Sequence, residues 1–190
     1  MIVLPTSWLY KSDRYRKLVR LKTIQDESLV HSVMQCIFAK YRKMKHIEDK
    51  KVYVSKFKSS LVKFDESYEV LLRKNRASNL LEKLSKDFEI NIYLFRCLKD
   101  DTIIKDRFLH SSDSPIIMIE KCDYYYPLGI QDKRGIHLLL FSSYDNEVTR
   151  CIESFDKSRI SDSYKENEVS KINIDSSFLL NYDVEKLFKA

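Results

Sequence analysis

The sequence predicts an α+β fold, with N-terminal helices packed on a mostly antiparallel sheet. Three observations carry this. Between residues 29 and 88 the apolar residues recur at three- and four-residue steps, the period of a half-buried helix. From Glu89 onward the period shortens to two, as in a strand. The connections between the later apolar words are too short for crossover helices, which leaves hairpins and an antiparallel sheet.

The elements follow in order. Lys17 to Leu21 alternates as a short strand. Asp26, Glu27 and Ser28 then supply acidic and capping groups ahead of Leu29, Val33, Cys36, Ile37, Tyr41 and Met44, which predicts one helix of about four turns with Ser28 at its N-cap. Val54, Phe57, Leu61 and Phe64 mark a second helix, and Ala77, Leu80, Leu81, Leu84 and Phe88 a third. Strands are expected at Ile90 to Phe95, from Ile103, at Ile116 to Glu120, at 122–128 and at 136–141, the last two joined across Gly129 and Gly135. The stretch Asp156 to Ser170 is polar and reads as a linker. Phe178, Leu179, Tyr182, Val184, Leu187 and Phe188 predict a closing amphipathic helix. Residues 1–145 thus form the α+β domain, and 146–190 a linker and helix belonging to the same unit.

Composition removes several functions. The chain has 190 residues, enough for one domain, and 44% are hydrophobic, as a packed core requires. No apolar run approaches the ~18 residues of a membrane span. The start, Met-Ile-Val-Leu-Pro, lacks the basic lead of a signal peptide, so a cytoplasmic location is expected. Only two glycines occur, Gly129 and Gly135. Phosphate-cradling loops need several, which excludes the familiar nucleotide-binding motifs. Cys36, Cys97, Cys122 and Cys151 lack the close spacing of zinc ligands and read as core thiols. Neither metal nor cofactor is expected.

Charge is uneven. Lys11, Arg14, Arg16, Lys17, Arg20 and Lys22 face Asp13 alone, and a second basic cluster runs Lys40, Arg42, Lys43, Lys45, Lys50, Lys51. With Tyr10 and Tyr15 interleaved, the basic N-terminal third could bind nucleic acid, and Lys17 or Arg20 to Ala should then weaken binding to all sequences alike.

Two places combine polar residues with structural punctuation. The first is the helix start Gln25-Asp26-Glu27-Ser28-Leu29-Val30-His31-Ser32, where a nucleophile would have N–H donors nearby. The second is Cys122-Asp123-Tyr124-Tyr125-Tyr126-Pro127-Leu128. His31, on the same helix as Ser28, is poorly placed to act on it and reads as a core histidine.

Together these words resemble the two catalytic motifs of the OTU (ovarian tumour) cysteine proteases, a papain-like family with viral members. Leu29, His31 and Ser32 fit the nucleophile motif, Asp-Gly-x-Cys and its continuation, while Gln25, Asp26 and Ser28 stand at its Asp, Gly and Cys positions. Tyr125, Pro127 and Leu128 fit the His-Tyr-x-Pro-Leu strand, with Tyr124 at the histidine position, 96 residues after Ser28. The likeness spans roughly residues 15–145. It implies a degenerate OTU-like domain, and it departs where chemistry matters. A serine forms no thiolate, and a tyrosine with a reference pKa near ~10 is a poor base at neutral pH. The resemblance therefore implies a catalytically silent protein-binding or assembly module, viral in origin, located in host cytoplasm or virion, with ubiquitin among its candidate partners.

The rival hydrolase reading uses other residues. Cys36 lies about two turns inside the helix, on its apolar stripe. His137 stands in an apolar strand and could serve Ser28 as base, oriented by Asp145 or Asn146.

Overall fold

A computed structural model of the chain describes residues 2–3, 17–73, 76–97, 103–131 and 137–154. In chain order it contains β1 (Ile2–Val3), β2 (Lys17–Arg20), α1 (Ser28–Ile37), α2 (Ala39–Lys43), α3 (Ile47–Phe64), α4 (Ser67–Arg73), α5 (Ala77–Asp87), β3 (Asn91–Cys97), β4 (Ile103–Phe108), β5 (Ile116–Lys121), β6 (Tyr125–Gln131), β7 (His137–Leu138) and α6 (Asn146–Ser154). The class is α+β with a mixed sheet, ordered β1-β2-β6-β5-β3-β4, and β7 pairs with β6. Among the described residues no helix is long and apolar enough to cross a membrane.

The first helix is shorter than its apolar stripe suggests. It stops at Phe38, whose backbone is extended (φ −103°, ψ 111°), and α2 begins at the next residue. Phe38 is fully buried, with its ring 5.6 Å from that of Phe57 and 6.4 Å from that of Phe88. Turning the chain there sends Phe38 in among α3 and α5. Arg42 donates from one guanidinium nitrogen to Gln35 O and Cys36 O, both at 2.9 Å, and so satisfies carbonyls at the end of α1. The second predicted helix also begins earlier, at Ile47, and the short α4 follows it.

The sheet departs from the expected hairpin order at one place. β3 pairs antiparallel with β4 but parallel with β5. The chain leaves β4 at one edge, crosses the end of β3 and re-enters as β5 on its other side. Asn91, the first residue of β3, holds this crossing. Its Nδ2 donates to Ser111 O (2.7 Å) and Ser114 O (3.2 Å), and its Oδ1 accepts from the His110 N–H (2.8 Å). The Asn91 N–H itself donates to Pro115 O at 2.7 Å. At 4% exposure Asn91 has little water to fall back on.

Both faces of the sheet are buried. Val19, Ile92, Leu94, Ile117 and Ile119 point to α1–α5, whereas Leu18, Phe95, Met118, Leu128 and Ile130 share a second core with Val148, Cys151 and Ile152 of α6. The strand period of two divides each strand between the two cores. Helix α6 thus ties the first residues after 145 to the sheet. The linker expected at Asp156 to Ser170 and the helix expected from Phe178 lie outside the described residues.

Gly129 is inside β6 rather than in a turn. A Cβ there would meet Leu138 O at 2.9 Å and the Leu139 side chain at 3.0 Å, so its bare backbone lets the β7 segment pass. β7 enters on the β5 side of β6, since Ile130 pairs with Leu18 on one side and Leu138 on the other.

Replacing Asn91 with Ala strands the N–H of His110 and two loop carbonyls at once. The variant should lose about 1–3 kcal/mol of stability, read from urea unfolding midpoints. Asn91→Asp should lose a similar amount, because it sets a carboxylate against the Ser111 and Ser114 carbonyls.

Candidate functional site

The helix start and the Tyr124 strand meet. Glu27 precedes α1 in the left-handed conformation (φ 52°, ψ 34°) and occupies the N-cap without a side-chain capping bond. Ser28, expected at the cap, is instead the first residue of the helix. Its Oγ accepts from the Tyr125 N–H at 3.2 Å. One turn on, the Ser32 hydroxyl donates to Tyr125 O at 2.8 Å and lies 3.3 Å from Thr23 Oγ1. Two serines of one helix therefore hold both backbone groups of the residue that opens β6.

A cleft of about 280 Å³ opens at this junction. Ser28, Glu27 and Gln25 form one wall, and Lys121, Asp123, Tyr124 and Tyr125 a second. Leu71 and Leu72 of α4, with Arg76, Ala77 and Leu80 at the start of α5, form a third. Ser28 and Tyr124, paired only by motif in the sequence, line the same cavity. Among the described residues no histidine or cysteine lines it.

Neighbouring contacts fix the walls. Lys121 Nζ donates to Asp123 O (2.8 Å) and lies 4.8 Å from the centre of the Tyr125 ring. Burial holds the Tyr125 phenol above its ordinary range, against the opposing charge of Arg96. On the third wall, Lys83 of α5 bridges Asp65 (2.6 Å) and Asp87 (3.1 Å), and the buried Tyr68 donates its hydroxyl to Asp87 Oδ2 (2.6 Å). This network fastens the α4 region to α5, the two helices that supply the third wall.

The other candidates lie elsewhere. Cys36 is fully buried on α1, and burial pushes its thiol up to about 12, so it stays protonated at neutral pH. Cys151 is likewise buried and pushed up to about 12. His137 pairs with Gln131 at the far end of β6 from Tyr125, six residues away. At about 3.3 Å per residue that is about 20 Å, so the structure does not bring His137 to Ser28. Asp145 Oδ1 accepts from the Val148 N–H (3.3 Å) at the start of α6, and Asn146 begins that helix.

His31 turns away from the cleft. It is 2% exposed, and its Nδ1 lies 2.5 Å from the hydroxyl of the buried Tyr41. Burial lowers the imidazole pKa, outweighing the pull of Glu27 and Asp26, and burial raises that of the Tyr41 phenol. Tyr41 therefore stays protonated and donates to a neutral His31.

Of the basic residues singled out near the N-terminus, Lys11, Arg14 and Arg16 lie outside the described residues, as does the Lys17 side chain. Lys22 is exposed. Arg20 faces inward. Its guanidinium makes a two-pronged pair with Glu120, which is 1% exposed, and sits 5.2 Å from the Tyr126 ring centre. Cys122 Sγ donates to the same carboxylate at 2.9 Å. The Arg20 pKa is raised: burial alone would lower it, and Glu120 more than compensates. An Arg20→Ala variant would leave a buried carboxylate unpaired, so it tests folding rather than phosphate contact. Among the described residues no group of three or more His, Cys, Asp and Glu side chains is placed to hold a metal ion.

No protein-family model matches the chain, and no curated protein matches it at a significant level.

Two outcomes follow from this geometry. Ser28→Ala removes the acceptor of the Tyr125 N–H and should lower stability by about 1–3 kcal/mol in urea unfolding. An unchanged midpoint would mean that this bond does not hold the junction. For His31, the unfolded chain takes up a proton near the ordinary value of about 6.5, while the folded chain resists it. Its contribution is fully present above that pH and is lost as pH falls through the lowered folded value. His31→Gln, which cannot titrate, should therefore lose less stability than the parent between neutral and mildly acidic pH.

Proposed function

We propose that this chain is an OTU-like domain that does not hydrolyse, and that it serves as a protein-binding module of a larger, viral assembly. The observation that carries this reading is the state of the Ser28 hydroxyl. It accepts the Tyr125 N–H in a cleft that Ser28 shares with Tyr124, and among the described residues the cleft walls contain neither histidine nor cysteine. A serine nucleophile needs an adjacent base to take its proton, and the residue that shares the cleft with Ser28 at the motif's base position is a tyrosine rather than a histidine.

What the cleft retains suits recognition. Leu71, Leu72 and Leu80 offer an apolar wall, the two tyrosines offer rings, and Gln25, Glu27, Arg76 and Asp123 offer polar contacts around it. Such a mixture fits an extended segment of a partner protein, with ubiquitin as the first candidate to try.

Activity-based probes test the silent reading. Neither a fluorophosphonate nor a ubiquitin vinyl sulfone should label the protein, and adduct formation at Ser28 or Cys36 would overturn it. Partner identity is tested by titrating ubiquitin into isotope-labelled protein. Amide shifts at Leu72, Tyr124 and Tyr125 are expected if ubiquitin occupies the cleft, and no shift at millimolar ubiquitin removes that partner.

A further inference from the structure

The basic residues nearest the N-terminus are not where the described surface concentrates free positive charge. The second basic cluster is better placed. Between residues 40 and 51, six Lys and Arg stand against two carboxylates, Glu48 and Asp49. Two of the six are committed: Arg42 to the carbonyls closing α1, and Lys51 to Glu48 at 3.3 Å. Lys40, Lys43 and Lys45 are exposed and Lys50 half-buried, and no carboxylate among the described residues pairs with any of them.

Their placement is ordered. Lys40 Nζ lies 5.8 Å from the Tyr53 ring centre and Lys50 Nζ 5.2 Å from that of Tyr41, and the two rings are 6.3 Å apart. The seam of α2 and α3 thus carries two ammonium groups over adjoining tyrosine faces, flanked by Lys43 and Lys45. The rings limit where the lysine side chains wander, which lessens the entropy lost when an anion binds. This corner follows the C-terminal end of α1, whereas the cleft is at its N-terminal end. Ten residues separate them, about 15 Å of helix.

We propose that the α2–α3 corner is a nucleic-acid-binding face that grips the phosphate backbone. Lysine is depleted from the cores of protein–protein interfaces and is a point-charge ligand for phosphate. The residues that anchor protein interfaces are turned inward here: Tyr41 is buried, Tyr53 is half-buried beneath Lys40, and Arg42 faces the end of α1. Tyr41 is buried and each ring already carries a lysine over one face, so the corner offers charge for phosphate rather than an open stacking platform. Binding is therefore indifferent to sequence and steeply dependent on salt. Ile47 and Val52, both exposed on α3, are the features an acidic protein partner would use instead.

The test is fluorescence anisotropy with the full chain and short DNA duplexes of two unrelated sequences. Both duplexes should bind alike, and affinity should fall steeply between about 50 and 200 mM salt. Each lost phosphate contact lowers the log–log salt slope by about 0.9, so Lys40→Ala/Lys43→Ala/Lys45→Ala should flatten it by about 2–3 and weaken binding at least ~10-fold at low salt. The charge reversal Lys43→Glu/Lys45→Glu, which leaves the Lys40–Tyr53 contact intact, should weaken it further. Lys86→Ala, a lysine already paired with Glu82, should change nothing. Absence of duplex binding at low salt overturns the proposal and directs the search to an acidic protein. Equal binding by parent and triple variant overturns it too, because the contact would then lie elsewhere in the chain.

Discussion

The structure hangs on the backbone of Tyr125. Along one edge of β6 the hydrogen-bonding partners change in sequence. β2 pairs with residues Gln131 to Leu128, Leu21 donates its N–H to Pro127 O at 3.0 Å, and Ser28 and Ser32 then take Tyr125. Where β2 departs, α1 takes its place with side-chain hydroxyls instead of peptide groups. The two serines are one helical turn apart, so they reach the N–H and the C=O of one residue. That single join sets the angle at which α1 meets the sheet, brings Tyr124 beside the helix start and opens the cleft between them. Pro127 fits this edge because only its carbonyl is needed there.

A second constraint acts at the other end of β3. A parallel pair requires the chain to cross, and a crossing loop carries peptide groups that would otherwise be buried without partners. The Asn91 side chain supplies two donations and one acceptance to that loop. A β4–β5 connection of seven residues can then reach past β3 without a helix of its own. The Arg20–Glu120 pair has a related role at the cleft end of the sheet, on the face opposite α1–α5. It links β2 to β5 across β6, and its charge is offset by geometry rather than by water.

Much of this was legible in the residues, and the exceptions have physical causes. The strands at Asn91–Cys97, Ile103–Phe108 and Ile116–Lys121 were legible close to their places, whereas β6 runs Tyr125–Gln131 instead of 122–128 and β7 covers only His137–Leu138 of the expected 136–141. The turn at Phe38 was not legible, since Cys36, Ile37 and Tyr41 continue the apolar stripe across it and periodicity registers burial rather than backbone direction. The parallel partner of β3 was equally hidden. A short connection after β4 fits a hairpin as well as a pinned crossing, and the difference rests on Asn91, a residue whose type alone signals a turn. Gly129 suggested a turn for the same reason, whereas its work is to admit Leu138 and Leu139 against β6. Helix α6 has apolar residues at Val148, Cys151 and Ile152, a helical spacing masked by its polar surroundings.

The cleft shows how far motif reading carries and where it stops. The family resemblance suggested that Ser28 and Tyr124 belong together, and they line one cavity. It offered no sign that the serine hydroxyl would be spent on the strand, because Ser at a helix start most often caps its own helix. Here the cap position went to Glu27 in a left-handed conformation, which moved Ser28 one residue inward and aimed its hydroxyl at Tyr125. A nucleophile must be free to lose a proton and form a covalent bond. The Tyr125 contact does not use the Ser28 proton, but a covalent bond formed at the same oxygen would weaken its hold on the strand. Under the proposed reading, restoring a cysteine at 28 and a histidine at 124 would supply the missing groups and remove the oxygen that receives the Tyr125 N–H. A thiol is a weaker acceptor than a hydroxyl, so the chemistry could return only if the Tyr125 junction found another bond.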